Sequence, residues 1–75
     1  MTEGLFGDIL KDLRTEKGYS QEHLAELAEL DRTYVSLLER GLRQPTLATL
    51  FSLAKALQIA PSKIVLLLEK QNAGK

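Results

Sequence analysis

Apolar residues recur along this chain at intervals of three and four, the spacing that places side chains on one face of an α-helix. They nowhere alternate with polar residues as they would in a half-buried strand. The first segment ends at Gly18, because glycine readily takes the left-handed conformation that closes a helix. Its apolar positions are Leu5, Phe6, Ile9, Leu10 and Leu13. The whole pattern predicts a compact all-α fold of five helices joined by short loops.

The second and third segments are short and lie close together in the chain. Helices are predicted over about residues 21–28 and 32–40, with Ser20 and Asp31 as N-caps and Gly41 after the second of them. Leu30 is predicted to fill the turn between them. The inner faces carry Leu24, Ala25, Ala28, Val35 and Leu38. Because small residues let two helix axes cross closely, the stretch 21–41 predicts a helix-turn-helix.

Two further helices follow a loop at residues 42–45. Thr46 is the predicted cap of the fourth helix, whose apolar positions are Leu47, Leu50, Phe51, Ala54 and Leu57. Pro61 suits the first position of the fifth helix, which is predicted to run to about Lys70 with a frayed tail from Gln71.

Five consecutive apolar residues, 64–68, surround the fifth helix, so one small core cannot bury them all. The predicted core-facing members are Ile64, Leu67 and Leu68. The outward members form an exposed apolar patch, which favours a subunit interface over a merely exposed helix edge. The predicted homodimer interface comprises Leu57, Ile59, Val65 and Leu66.

The charge distribution changes what the zero net charge implies. Residues 1–29 hold three basic and seven acidic residues, a net charge of −4, whereas residues 30–63 hold five basic and two acidic residues, a net charge of +3. The positive charge coincides with the third helix and the loop after it. Since non-specific affinity for DNA scales with the phosphates neutralised, so few basic residues favour a dimer.

Composition excludes several classes of protein. The chain has 75 residues, which fit one domain over 1–75 with a core at about 5–70. With no cysteine, no disulfide or thiolate metal site can form, and the single histidine, His23, lacks a second ligand at useful spacing. No catalytic triad, paired-carboxylate pocket or glycine-rich phosphate loop is present. We therefore expect no enzyme activity, metal or cofactor. Without a membrane-length apolar run or a signal sequence, we expect a cytoplasmic protein.

The helix-turn-helix residues match a known family at fixed spacing. They are Gln21, Leu24, Ala25, Ala28, Leu30, Val35, Ser36, Leu38, Glu39 and Gly41. Over residues 6–69 the chain resembles the lambda repressor-like, or Cro/C1-type, proteins of the XRE family. Residues 31–36 and 39–41, with Arg43, most resemble the controller proteins of restriction-modification systems, which are small homodimers. The family usually has glycine where Glu29 stands, and a left-handed backbone there would cost about 1 kcal/mol.

The resemblance implies a homodimeric transcriptional regulator that binds a pseudopalindromic operator in double-stranded DNA, with the third helix in the major groove. The predicted base contacts are Arg32, Thr33, Ser36 and Leu37. The predicted contacts with the DNA backbone are Ser20, Gln21, Tyr34, Arg40, Arg43 and Thr46. Of these, Ser20 and Thr46 are first of all helix caps, and Tyr34 has an equal claim to packing at the core edge.

The outward side chains of the third helix suit base recognition chemically. Arginine can pair with guanine through two hydrogen bonds, and an apolar Leu37 on a wet face can contact a thymine methyl group. A solvated surface arginine, and packing of Leu37 against Leu42, are the alternatives. The resemblance also implies a structural ion pair between Arg14 and Glu39, behind the third helix.

Partners and rival classes follow from the same residues. No small-molecule ligand is expected, because no ligand-binding domain accompanies the motif. RNA polymerase is a candidate partner for the acidic residues Glu22, Glu26 and Glu29, although a solvated face is the simpler interpretation. A phage-type repressor, an antitoxin, or a protein-interaction module that kept the fold without binding DNA stay open as alternatives.

Overall fold

The computed structural model describes residues 5–73, and these form five α-helices and no strand. The helices are α1 (Leu5–Glu16), α2 (Gln21–Ala28), α3 (Arg32–Glu39), α4 (Leu47–Leu57) and α5 (Pro61–Ala73). The predicted all-α fold is confirmed. The end predicted for α5 at Lys70 was wrong, because no glycine or proline interrupts the helix before residue 74. Residues 74 and 75 of the predicted tail lie outside the described residues.

Side-chain caps begin α2, α3 and α4, as the sequence predicted. The Ser20 hydroxyl accepts a hydrogen bond from the His23 N–H at 2.9 Å, and the Asp31 carboxylate accepts one from the Thr33 N–H at 2.9 Å. Thr46 caps α4 in the same way, accepting from the Thr49 N–H at 3.1 Å. Each cap satisfies one of the amide groups that the first turn of a helix leaves without a partner. The starts of these three helices are therefore fixed by local chemistry.

The turn between α2 and α3 keeps the left-handed geometry despite lacking glycine. Glu29 has φ 59° and ψ 44°, and Gln58 takes almost the same conformation, φ 61° and ψ 40°, after α4. The Leu30 N–H then donates to the Ala25 carbonyl at 2.8 Å, which closes the helix end. Leu30 packs against the core, as predicted for the residue that fills this turn. The domain therefore tolerates the left-handed cost at two non-glycine positions.

The core lies among the five helices, with α1 packed against α3 and α5, α2 packed against α3 and α4, and α4 packed against α5. Its fully buried members include Leu24, Val35, Leu38, Leu53, Leu57 and Ile64. Leu57 was assigned to a dimer interface, and that assignment was wrong. Its side chain is 0% exposed inside the monomer, so it has no surface to offer a partner.

Two apolar residues of α4 lie outside the core. Leu47 is 74% exposed and Phe51 is 57% exposed, because α4 turns Leu50, Leu53 and Leu57 inward instead. They stand at i and i+4, so they lie one helical turn apart on the same face. The structure therefore leaves an apolar strip on α4 that the core does not cover.

The helices between residues 5 and 73 have 8 to 13 residues each. None of these helices alone is long and apolar enough to cross a membrane. The α4–α5 pair, bent by 107°, reaches the length and apolar composition of a membrane span only when its two helices are taken together.

Candidate nucleic-acid interface

The outer face of α3 carries the side chains predicted to contact bases. Arg32 and Thr33 are exposed in its first turn, and Ser36 and Leu37 are half-buried one turn later. On the opposite side Val35 and Leu38 are both 0% exposed, so they anchor the helix in the core. The helix is thus held on one side and presents polar and basic groups on the other. This is the arrangement that a major-groove reader requires.

Leu37 lies at the edge of this face, next to the chain segment that leaves α3. The Leu42 N–H donates to the Leu37 carbonyl at 2.9 Å, which brings the two residues together through the backbone. The Leu42 side chain is 59% exposed, more than that of Leu37. The edge therefore presents apolar surface beside Arg40 and Arg43, both exposed.

Three of the residues predicted to contact the DNA backbone stand at helix N-termini. Ser20 and Gln21 stand at the N-terminus of α2, and Thr46 stands at the N-terminus of α4. Free N–H groups at a helix N-terminus favour a phosphate, so both positions suit the backbone of a duplex. The Ser20 and Thr46 side chains are already occupied as caps. Tyr34 is half-buried and packs against the core cluster, which agrees with the core-edge alternative for its ring.

Arg14 of α1 and Glu39 of α3 form the ion pair that the resemblance implied. The Arg14 Nε lies 2.6 Å from Glu39 Oε2, and its Nη2 lies 3.1 Å from Glu39 Oε1. The paired side chains are only 12% and 4% exposed. Two parallel hydrogen bonds of this kind fix direction as well as distance. The Arg14 Nη1 also donates to the Tyr19 carbonyl at 2.8 Å, so the pair joins α1, α3 and the α1–α2 turn.

Gln21 extends this network toward the surface, which sequence reasoning missed. Its side-chain Nε2 donates to Glu39 Oε1 at 3.0 Å. A glutamine amide has two N–H groups and a carbonyl oxygen, so one N–H remains for a phosphate. A polar residue at the first position of α2 was the available signal, but its partner lies 18 residues away. The predicted phosphate contact thus comes from a side chain that Glu39 holds in place.

The hydrogen bonds that Arg14 donates to Glu39 raise the pKa of Arg14, and attraction to the same carboxylate raises it further, while burial opposes both effects. A raised pKa in the folded state contributes stability below the ordinary pKa of the group and loses it only as the pH rises through the raised value. For an arginine, this loss of stability occurs only in strongly alkaline solution. The Arg14 guanidinium therefore stays charged at neutral pH and in mildly alkaline solution.

His23 takes a surface position beside the N-terminus of α2. Its ring meets that of Tyr19 edge to face, with 4.9 Å between the ring centroids. Its Nδ1 lies 4.0 Å from a Glu26 carboxylate oxygen. Within the described part of the chain, no three His, Asp or Glu side chains are grouped as metal ligands.

The outward apolar residues of α5 lie where the sequence predicted. Val65 is 47% exposed and Leu66 is 50% exposed, whereas Ile64 is buried. Leu67 and Leu68 pack against the core, and so does Ile59, which is half-buried.

The exposed strip of Leu47 and Phe51 was not predicted as surface. Leu47 borders a groove of about 350 Å³ that Phe6 and Leu68 also line. The available signal was the number of apolar positions on α4, which also include Leu53 and Ala56 and exceed what one helix face can bury.

Comparison with known proteins agrees with this geometry. The family model described as "Helix-turn-helix" matches residues 10–64. The control protein C.MunI of a Mycoplasma species is 42% identical over 67 residues, which are 88% of this chain and 90% of that protein. The restriction-modification controller protein C.AhdI from Aeromonas hydrophila has a similar crystal structure, with a TM-score of 0.80 and 48% identity over 83% of this chain and 94% of that one.

A third similar protein has been crystallised with DNA. It is the restriction-modification controller protein C.Esp1396I, whose structure shows a tetramer in complex with its natural 35-base-pair operator. The TM-score is 0.85 and the identity 34%, over 93% of this chain and 92% of that one.

Proposed function

Because this chain belongs to the helix-turn-helix family, as a Cro/C1-type member similar to restriction-modification controller proteins, we propose that it is a transcriptional regulator that reads a specific operator as a homodimer. In this proposal α3 enters the major groove, and Arg32, Thr33, Ser36 and Leu37 contact bases. In this proposal the domain, residues 1–75, is of bacterial or phage origin and acts in the bacterial cytoplasm, where it has access to promoter DNA.

The observation that carries the proposal is the exposed face of an anchored helix. Arg32 and Thr33 project from the first turn of α3, while Val35 and Leu38 are fully buried beneath them. Arginine pairs with guanine through two hydrogen bonds, which suits a helix whose first residues approach base edges. The similarity to a protein crystallised on its operator supports the same interpretation.

The remaining predicted contacts are proposed to bind phosphates. In the proposal Gln21 uses its second amide N–H, Arg40 and Arg43 supply charge, and the N-termini of α2 and α4 supply main-chain donors. Ser20 and Thr46 take part as the residues that begin those helices. Contacts of this kind fix the register of a protein on the duplex but carry no sequence information.

The homodimer is proposed from the exposed apolar surface of α5. Val65 and Leu66 are each about half exposed, and Ser62, Lys63 and Glu69 lie beside them. Burying such a patch against a second copy removes apolar area from water, and two-fold symmetry suits an operator with two half-sites. Leu57 is not part of this proposed interface, because it is fully buried in the monomer. Ile59 is half-buried and can contribute only part of its side chain.

Replacing Val65→Lys and Leu66→Glu together is expected to leave a folded monomer. The new charges stand four residues before Glu69 and Lys70, so both form opposite-charge pairs on the helix surface and the net charge is unchanged. Sedimentation should show a dimer for the original protein and a monomer for the variant. Affinity for a duplex selected from a random pool should fall more than about tenfold, because one half-site contact is lost.

The matched control places the same charges on the same helix without removing apolar surface. Gln71→Lys with Asn72→Glu should keep the dimer and its affinity for DNA, since both residues are exposed and polar. If the Val65→Lys, Leu66→Glu variant is still a dimer, the interface lies on another surface. Leu47 and Phe51 form the next exposed apolar surface. A monomeric original protein would contradict the homodimer itself.

Contact with RNA polymerase is a finer proposal that rests on one surface. Glu22, Glu26 and Glu29 are all exposed along α2 and its end. A solvated acidic face is the simpler explanation, because all three carboxylates are open to water. Transcription in vitro from a selected operator separates the two. Changing Glu22 and Glu29 to glutamine should reduce activation if polymerase contacts them, and should leave it unchanged if they are only solvated.

A further inference from the structure

Gly7 lies in the first turn of α1, buried where that helix meets the end of α3. A Cβ atom built at this position would stand 2.5 Å from the carbonyl oxygens of both Leu38 and Glu39, and 2.8 Å from the Glu39 carbonyl carbon. Ordinary contacts of a Cβ begin at 3.4 Å. The two backbones can therefore approach this closely only because residue 7 has no side chain.

The backbone conformation gives no other reason for glycine here. Gly18 and Gly41 have φ values of 75°, in the left-handed region that favours glycine, whereas Gly7 is an ordinary helical residue. Glycine inside a helix is a poor helix former, since it gains no side-chain packing and loses the most chain entropy. Close approach to α3 is the feature that accounts for it.

The same helix holds the end of α3 at a second point. Arg14 follows Gly7 by seven residues, about two turns, and so lies on the same face of α1. Its guanidinium binds the Glu39 carboxylate at 2.6 Å, while Gly7 lies against the Glu39 main chain. One contact fixes the distance between the helices and the other fixes the direction of Glu39.

We propose that Gly7 is a positioning residue for base recognition, which rests on the proposed function of α3. Ser36 lies in the last turn of α3, so it moves with the main chain that Gly7 contacts. A methyl group at residue 7 would push that turn away by about 0.9 Å, from 2.5 to 3.4 Å. Recognition sites require placement within about 0.5 Å, whereas attraction to phosphates tolerates more. Gly7 therefore sets specificity rather than general affinity for DNA.

The test measures the ratio of affinities for a selected operator and for a scrambled duplex of the same length, with both proteins shown to be folded by circular dichroism. Gly7→Ala should lower this ratio by at least about tenfold and leave the affinity for scrambled DNA unchanged, as expected when a base contact is lost. Gly18→Ala is the matched control. It strains a left-handed position, but its Cβ meets nothing within 4 Å. It should lose stability and keep the ratio.

An unchanged ratio in folded Gly7→Ala would overturn the proposal, because Gly7 would then serve packing alone. If the variant does not fold, Gln58→Gly supplies a stabilised background, since it removes a left-handed non-glycine residue from the turn after α4. Failure to fold there as well would also overturn the proposal, since the fold itself would then require Gly7. If the original protein binds the selected operator and the scrambled duplex equally, that result contradicts both the proposed function and this inference, before any variant is compared.

Discussion

Replacing Arg14 with methionine is expected to lower the free energy of unfolding by about 3–5 kcal/mol. The loss arises because Glu39, whose side chain is 4% exposed, would keep its charge without its bidentate partner. Gln21 alone would still donate to that carboxylate. Since small domains are stable by only about 5–15 kcal/mol, this loss is a large share of the total, and the variant should unfold at a markedly lower urea concentration.

Urea unfolding followed by circular dichroism measures this loss, and the double variant Arg14→Met, Glu39→Leu is its control. Removing both charges leaves no uncompensated carboxylate, so the double variant should recover most of the stability. Raising the pH through the neutral range should not imitate Arg14→Met, because the pKa of Arg14 is raised by its hydrogen bond to Glu39. A loss below about 1 kcal/mol, typical of exposed ion pairs, would contradict a structural role for the pair.

Replacing Arg32 with alanine is expected to cost about 1–3 kcal/mol of binding free energy, concentrated at one base pair of the operator. Arg32 is exposed at the start of α3, directly after the Asp31 cap that orients this turn. In the proposed complex, removing its guanidinium takes away two hydrogen bonds to one guanine and leaves the buried side of the helix unchanged. Affinities for operators substituted one position at a time would show the loss of preference at that base pair alone.

Arg43→Ala provides the contrast, because Arg43 is exposed in the loop after α3 and is proposed to contact phosphate. Its loss should weaken binding to every sequence and reduce the salt dependence by about one phosphate contact. If Arg32→Ala behaves in the same uniform way, Arg32 is a phosphate contact and not a base contact. If the original protein binds no operator and no other duplex, the fold serves as a protein-interaction module instead.

Features set by neighbouring residues could be predicted from the sequence. Ser20, Asp31 and Thr46 cap helices through atoms two or three positions away, so their roles are encoded locally. The outward positions of Val65 and Leu66 followed likewise from the helical period, because five apolar residues in a row must surround the helix.

Features set by packing between helices could not be predicted in this way. Leu57 and Phe51 are both apolar residues of α4, yet one is fully buried and the other is 57% exposed. That difference depends on how α4 lies against its neighbours, which the periodicity of one helix does not contain. The need for glycine at residue 7 likewise comes from carbonyl groups more than thirty residues away. The bond from Gln21 to Glu39 is a third case, since it exists only once α2 and α3 are packed.

Selection from a random duplex pool at about 0.1 M salt, followed by sequencing of the retained molecules, tests the central claim most directly. A homodimeric reader should enrich two half-sites related by two-fold symmetry, with centres about one helical turn or a multiple of it apart. Retention without a common sequence, fading as the salt concentration rises, would show attraction to phosphates alone. That result would contradict specific recognition by α3.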